Sequence, residues 1–134
     1  MTQDELATFH DSLERCHQDP TFLPRFYQRV MSSSQEIAAR FSHTDMRRQY
    51  RILAASLYEM LGVVSGSVEG QAHAAHLARV HDHEHHDVAP WMYDVWLDCL
   101  VSAVRDCDPR CDAHVEAAWR DMLTPAIETM KAAY

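Results

Sequence analysis

Histidine is the residue type with the most evident capacity for chemistry in this sequence. The chain has 134 residues and contains ten histidines, six of which fall between residues 73 and 86. These six are His73, His76, His81, His83, His85 and His86. Imidazole changes its charge near neutral pH and is the commonest metal ligand in proteins. The histidine segment is therefore the leading candidate for a functional site.

Three interpretations of the histidine segment compete. A solvated, polar helix end is the simplest for any single histidine, and protonated imidazoles interact favourably with the dipole of a helix C-terminus. A transition-metal site is the second, because His81 and His85 lie four residues apart on one helix face, although the helix supplies no obvious third ligand. In the third, one imidazole is the axial ligand of a haem iron, which requires an apolar slot and a polar group on its far side.

The elements that must position these residues are predicted to be helices. The three glycines, Gly62, Gly66 and Gly70, lie in one nine-residue window, and no sustained alternating pattern indicates a strand. Capping residues and prolines predict six or seven helices. They run from Thr2 to about Cys16, from Asp19-Pro20 to about Met31, from Ser33 to near Phe41, from Met46 to the glycine window, from Ser67 through Leu77 to the histidines, from Pro90 to the break at Asp108-Pro109, and from Asp112 onwards with a kink at Pro125. Such unequal lengths favour a compact stack of obliquely crossed helices over an up-down four-helix bundle.

Composition limits the classes of protein to which the chain can belong. The 47% of apolar residues is ordinary for a soluble protein, and the length predicts one domain over residues 1–134. Twelve Lys and Arg against twenty Asp and Glu give a net charge of −8, which argues against nucleic-acid and membrane-surface partners. No apolar run approaches the roughly 20 residues of a membrane span, and no signal peptide is visible. We therefore expect a cytoplasmic protein whose four cysteines are reduced thiols.

A series of short motifs follows in order along the chain. They are RFYQR around Tyr27, Phe41 fourteen residues later, Gln49 with Leu53, LARVH ending at His81, Val88 with Pro90 and Tyr93, and finally Trp119. Together these motifs span residues 22–119 and resemble the globin family, most of all the bacterial single-domain haemoglobins and the haem domain of flavohaemoglobins. The resemblance implies an all-α, globin-like fold of six to seven helices in a three-over-three helical sandwich, since the first helix is retained.

On the distal side of a haem, the resemblance implies four residues. Tyr27 matches a tyrosine that projects onto the distal face, and Phe41 matches the phenylalanine that globins place against the haem ring. Gln49 and Leu53 match the distal glutamine and the leucine one turn later. Tyr27 and Gln49 would then form a hydrogen-bonding pair, with Phe41 and Leu53 excluding water from the ring.

On the proximal side, the resemblance implies His81 as the ligand of the haem iron. Leu77 matches the apolar residue one turn before that ligand. Val88 and Tyr93 match the corner and the start of the next helix, which close the proximal side of the haem. The second ring nitrogen of His81 should donate to a backbone carbonyl near the helix end, which would fix the orientation of the imidazole.

Two registers compete for the proximal ligand. In the family, the ligand usually precedes the helix-opening proline by seven residues, and counting back from Pro90 gives His83. An apolar residue one turn before the ligand selects His81, with a corner two residues longer than usual. We prefer His81, because its ring then faces inward with Leu77, whereas His83 would place Arg79 over the porphyrin. His83 remains the alternative.

The resemblance also implies a cofactor and a function. The cofactor is one haem b (iron protoporphyrin IX), held without covalent bonds because the sequence contains no Cys-x-x-Cys-His motif. The function is reversible binding of O2, or of NO or CO, at a pentacoordinate haem iron, for oxygen binding or transport or for NO handling. The alternatives are a stand-alone haem-based gas sensor, or an NO dioxygenase whose iron a separate reductase must return to the ferrous state.

Overall fold

The structure, a computed structural model, describes residues 2–65 and 89–132, without the side chains of residues 61–65. Within these ranges it contains helices and turns and no strand. The helices are α1 (Gln3–His17), α2 (Phe22–Ser33), α3 (Gln35–Arg40), α4 (Met46–Ser65), α5 (Pro90–Cys107) and α6 (Ala113–Ala132). The predicted all-α class is confirmed. The helix predicted from Ser67 through Leu77 lies outside the described residues.

Several helices begin at the capping residues that the sequence indicates. The hydroxyl of Thr2 accepts a hydrogen bond from the backbone N–H of Glu5 at 3.1 Å, which satisfies one free donor in the first turn of α1. Pro90 is the first residue of α5, where its missing N–H costs no helical hydrogen bond. The carboxylate of Asp112 accepts from the backbone N–H of Val115 at 2.9 Å and so caps α6.

Two predicted helix starts are displaced by local hydrogen bonds. The carboxylate of Asp19 accepts from the backbone N–H and the hydroxyl of Thr21, at 2.8 and 2.7 Å, and forms a turn, so α2 begins only at Phe22. Ser34, rather than Ser33, is the N-cap of α3. Ser33 instead completes α2, because its hydroxyl donates to a carbonyl in the last turn of that helix.

Neither Gly62 nor Pro125 ends a helix. Helix α4 continues through Gly62 as far as Ser65, so the predicted break lies later than the start of the glycine window. Helix α6 runs on through Pro125 to Ala132. A single glycine costs a helix only about 1 kcal/mol, which favourable packing elsewhere along the helix easily offsets.

The core lies where α1, α2, α5 and α6 pack together. Phe9 and Leu13 of α1 are fully buried one turn apart, as an amphipathic helix requires. The ring of Trp119 in α6 is fully buried, with its centroid 4.7 Å from that of Phe9 and 6.2 Å from that of Phe22. Burial of each such apolar side chain stabilises the fold by roughly 1.5–3 kcal/mol, so these contacts fix α1 and α2 against α6.

A buried polar network joins α1 to the corner between α5 and α6. The carboxylate of Asp108, whose side chain is fully buried, accepts from Ser12 Oγ at 2.6 Å and from Arg15 Nε and Nη2 at 2.5 and 2.9 Å. Trp119 Nε1 donates to Ser12 Oγ at 2.9 Å. Burial alone would raise the pKa of Asp108, but the hydrogen bonds from Arg15 and Ser12 outweigh it and lower that pKa below its usual value. These four residues are called the Asp108 network below.

Two expectations drawn from composition concern membranes and thiols. Among the described helices, none is both long enough and apolar enough to span a bilayer. All four cysteines are free thiols, with Cys16 and Cys107 buried. Burial raises the pKa of the Cys16 thiol, which keeps it protonated and unreactive at neutral pH.

Candidate functional site

The side chains of Tyr27 in α2 and Gln49 in α4 meet in a hydrogen bond. Gln49 Nε2 donates to the Tyr27 hydroxyl oxygen at 3.0 Å. Tyr27 is almost completely buried, at 2% exposure. Because the amide donates to the phenol oxygen, the phenol keeps its own hydrogen for a second partner. No acceptor for that hydrogen is present among the residues that the structure describes.

Three aromatic rings hold the ring of Tyr27 in place. Its centroid is 4.8 Å from that of Phe26, 5.6 Å from that of Phe41 and 5.6 Å from that of Tyr50. The rings of Phe26 and Phe41 meet it edge to face, the arrangement that the aromatic quadrupole favours. The hydroxyl is therefore carried on a ring with little freedom to move.

The position of Gln49 depends on how α4 starts. The backbone carbonyl of Asp45 accepts from the Gln49 N–H at 3.0 Å, and the Asp45 carboxylate accepts from the Arg48 N–H at 3.3 Å. Asp45 thus accepts hydrogen bonds from backbone N–H groups in the first turn of α4 and acts as its cap. A turn between the Phe41 carbonyl and the Thr44 N–H, at 3.1 Å, leads the chain into this start. The short connection after α3 therefore brings both Phe41 and Gln49 into contact with Tyr27.

Burial keeps the phenol of Tyr27 neutral. Desolvation raises its pKa to about 12, against a lowering effect of the hydrogen bond from Gln49. A phenol with this pKa remains protonated throughout the physiological range. The site therefore offers a neutral hydrogen-bond donor in an apolar setting.

Two further predicted site residues, Leu53 and Tyr93, are buried. Leu53 is buried in α4, one turn after Gln49, with 8% exposure. Tyr93 is buried near the start of α5, with 5% exposure, and burial raises its pKa to about 12. The roles expected of Leu53 and Tyr93 toward a cofactor stay predictions.

The predicted proximal residues lie outside the described residues. They are Leu77, His81 or its alternative His83, and Val88. The choice of iron ligand therefore remains a sequence-based prediction. Within the described ranges, no group of three or more His, Cys, Asp or Glu side chains is placed to hold a metal ion.

The structure adds Tyr50 to the site, a residue that sequence reasoning passed over. Its ring lies beside that of Tyr27, tilted at 38°. Tyr50 precedes Leu53 by three residues and Leu57 by seven, which is the spacing of one helix face. That periodicity is the signal by which the sequence indicates that Tyr50 faces the interior.

Trp96 is a second aromatic residue that extends this cluster. It lies in α5 and its centroid is 5.7 Å from that of Phe26. The sequence predicts that Trp96 lies on the inner side of its helix. It does not indicate that Phe26 contacts both Trp96 and Tyr27. Trp96 therefore connects the site to α5.

Comparison with known proteins gives one informative match. No family model and no curated protein matches the chain. The crystal structure of protein PA3967 from Pseudomonas aeruginosa PAO1, described as structurally highly homologous to a human hemoglobin, superposes with a TM-score of 0.91 at 32% sequence identity. The match covers 97% of this chain and 98% of that one, which confirms the predicted globin-like fold. The chain therefore belongs to the globin family.

Proposed function

We propose that this globin binds one haem b without covalent bonds and reversibly binds O2, or another diatomic gas such as NO or CO, at a pentacoordinate iron. The observation that carries the proposal is the hydrogen bond from Gln49 to the buried hydroxyl of Tyr27, which leaves the phenol hydrogen without an acceptor among the described residues. Membership of the globin family supplies the fold in which such a donor would face a haem.

The described residues fit the distal half of a haem pocket. Phe41 and Gln49 are only half-buried, so the site reaches the surface between α3 and α4. Phe41 and Leu53 supply apolar surface, and Tyr27 supplies a hydroxyl whose hydrogen has no acceptor in the described part of the chain. A haem is a flat apolar ring whose distal pocket needs these two kinds of surface.

The haem would supply an iron atom that can take a diatomic gas as its ligand. Tyr27 would donate its phenol hydrogen to the partly negative outer atom of that gas. One such hydrogen bond in an apolar pocket is worth about 1–3 kcal/mol. Gln49 would act as a positioning residue, because its amide holds the phenol oxygen and so sets the direction of the phenol hydrogen.

The proposed proximal ligand is His81, with His83 as the alternative. Neutral imidazole binds iron through one ring nitrogen and donates with the other.

Titration of hemin into the haem-free protein tests the proposal. We expect a Soret band that grows to an endpoint at one hemin per chain. His81→Ala should lose most of the haem, or bind it only with an added imidazole, while His83→Ala keeps a normal spectrum. The opposite result would move the ligand to His83, and a wild-type protein that develops no Soret band would refute haem binding altogether.

A further inference from the structure

A pocket opens where the end of α1 and the corner that follows it meet helices α2 and α4. Its volume is about 220 Å³. The buried side chains of Leu13, Cys16, Phe22 and Leu57 give it an apolar wall. No predicted haem-site residue of the described chain lines this cavity, which is therefore separate from the distal pair. We call it the corner pocket.

The two charged side chains that line the corner pocket, Asp19 and Arg51, differ in their surroundings. Hydrogen bonds from Thr21 and the positive charge of Arg25 lower the pKa of Asp19, so this carboxylate already has favourable neighbours. Arg51 is exposed, and within the described ranges no carboxylate forms an ion pair with it. Arg51 is therefore the charged group of the pocket that is available to an anion.

Rings make up much of the remaining lining of the corner pocket. Phe22 and Tyr50 are aromatic, and Pro20 and Pro24 add the faces of their pyrrolidine rings. An aromatic ligand can pack against such a wall in the offset or edge-to-face contacts that aromatic rings favour. Drug-sized ligands fill pockets of about 300–1,000 Å³, so a cavity of about 220 Å³ suits a smaller molecule of roughly ten non-hydrogen atoms.

We propose that the corner pocket binds a small aromatic monocarboxylate. The ring of this ligand would lie against the apolar wall, and its carboxylate would accept hydrogen bonds from the guanidinium of Arg51, whose N–H groups match the geometry of a carboxylate. A free aromatic amino acid fits less well, because Asp19, which would receive its ammonium group, already accepts two hydrogen bonds from Thr21. Binding at this pocket does not depend on the proposed function.

Tyr50 connects the corner pocket to the distal pair. Its ring lines the pocket, and its centroid is 5.6 Å from that of Tyr27. A ligand in contact with Tyr50 would therefore act on the position of the Tyr27 phenol. This consequence, unlike binding itself, rests on the proposed function, because the phenol would be the group that donates to the bound gas.

Isothermal titration calorimetry with phenylacetate tests the proposed site. We expect one molecule per chain and a dissociation constant of about 1 mM or tighter, which is reachable for a ligand of this size. Arg51→Gln should weaken binding about fivefold, a modest loss because Arg51 is exposed. The matched control is Arg48→Gln, the same change at an exposed arginine of α4 that does not line the pocket, and it should leave binding unchanged.

A second variant tests the apolar part of the pocket. Ala54 is half-buried and lines the cavity, so Ala54→Leu should weaken phenylacetate binding by taking up part of its space. Binding that neither Ala54→Leu nor Arg51→Gln alters would place the ligand elsewhere and overturn the proposal. Phenylacetate that added hemin displaces would occupy the haem site, with the same consequence.

The chemical class of the ligand is tested with two molecules that carry the same ring. Phenylacetamide, which is neutral, should bind more weakly than phenylacetate, and equal binding would show that the carboxylate is not recognised. Phenylalanine should also bind more weakly, and tighter binding would assign the pocket to a zwitterion. The absence of saturable phenylacetate binding would refute the site altogether.

The connection through Tyr50 is tested on the haem-loaded protein. Saturating phenylacetate should change the O2 dissociation rate at least about twofold, and the change should be smaller in Arg51→Gln at the same concentration. An unaltered rate would refute the connection. Failure of the proposed function is distinguishable, because it appears as a missing Soret band while phenylacetate still binds.

Discussion

Two polar clusters in this globin, each centred on a buried side chain, have opposite hydrogen-bonding arrangements. In the Asp108 network, the carboxylate accepts from Ser12, Arg15 and a backbone N–H, and Ser12 also accepts from Trp119. In the distal pair, Gln49 donates to Tyr27 and the phenol hydrogen is left without an acceptor among the described residues. Every member of the first cluster has its partner among the described residues, whereas the phenol hydrogen of the second has none among them.

We expect the first cluster to stabilise the fold, and the proposed function gives the second cluster a role in ligand binding. A buried donor hydrogen without an acceptor costs the fold free energy. The Asp108 network connects residues of α1 with residues about a hundred positions later and thereby holds the chain together.

Asp108→Ala should have the largest effect, and it should fall on stability. Removing the carboxylate leaves Arg15 and Ser12 without their buried partner, and breaking a buried ion pair costs about 3 kcal/mol or more of unfolding free energy. Denaturant unfolding measures this loss. Asp98→Ala is the matched control, because Asp98 pairs with Arg120 on the surface at 69% exposure, and it should change stability little.

A milder variant keeps this prediction testable if Asp108→Ala does not fold. Asp108→Asn removes the charge but retains a side-chain oxygen that can accept hydrogen bonds, so it should lose less stability. If either variant were as stable as the wild type, the network would have no stabilising role.

The pH dependence of stability should follow from the lowered pKa of Asp108. A carboxyl whose pKa is lower in the folded state stabilises the fold fully above its unfolded pKa of about 3.9 and loses that contribution as pH falls through the folded pKa. The difference in unfolding free energy between wild type and Asp108→Asn should therefore be constant near neutral pH and shrink in acid. Denaturant titrations at a series of pH values measure it, and a difference that grows in acid would contradict the assignment.

The sequence predicted the distal pair better than the Asp108 network, for physical reasons. Tyr27 and Gln49 lie in motifs whose spacing is visible along the chain, although which group donates depends on the packing of α2 against α4. The sequence indicates Asp108 only as a helix break beside Pro109, because its partners lie in α1 and pairing over such a distance leaves no local pattern. Local competition explains the displaced caps as well: Ser33 was favoured by its spacing to Glu36, but its hydroxyl bonds back into α2.

Tyr27→Phe should increase the O2 dissociation rate about tenfold, which corresponds to one hydrogen bond of roughly 1.4 kcal/mol. Stability should change little, because the ring and its aromatic contacts remain. Laser photolysis or stopped-flow displacement on the ferrous protein measures the rate. Tyr58→Phe is the matched control, since it removes a hydroxyl that donates to Glu14 at 2.8 Å, outside the distal pair, and should leave the rate unaltered.

Gln49→Leu should have the smallest effect, about a threefold increase in the O2 dissociation rate, equivalent to roughly 0.7 kcal/mol. The variant keeps the phenol but removes the amide that orients it. In a Tyr27→Phe background, the same substitution should add almost nothing, because the group that Gln49 positions is already absent. Full additivity of the two changes would show that Gln49 acts on the ligand directly.

The infrared stretching frequency of CO bound to the ferrous protein tests most directly whether the free phenol hydrogen of Tyr27 faces the ligand. A hydrogen-bond donor at the outer atom withdraws electrons from the C–O bond and lowers its frequency. We expect a lower frequency in the wild type than in Tyr27→Phe, with Tyr58→Phe matching the wild type. Identical frequencies in the wild type and Tyr27→Phe would contradict it.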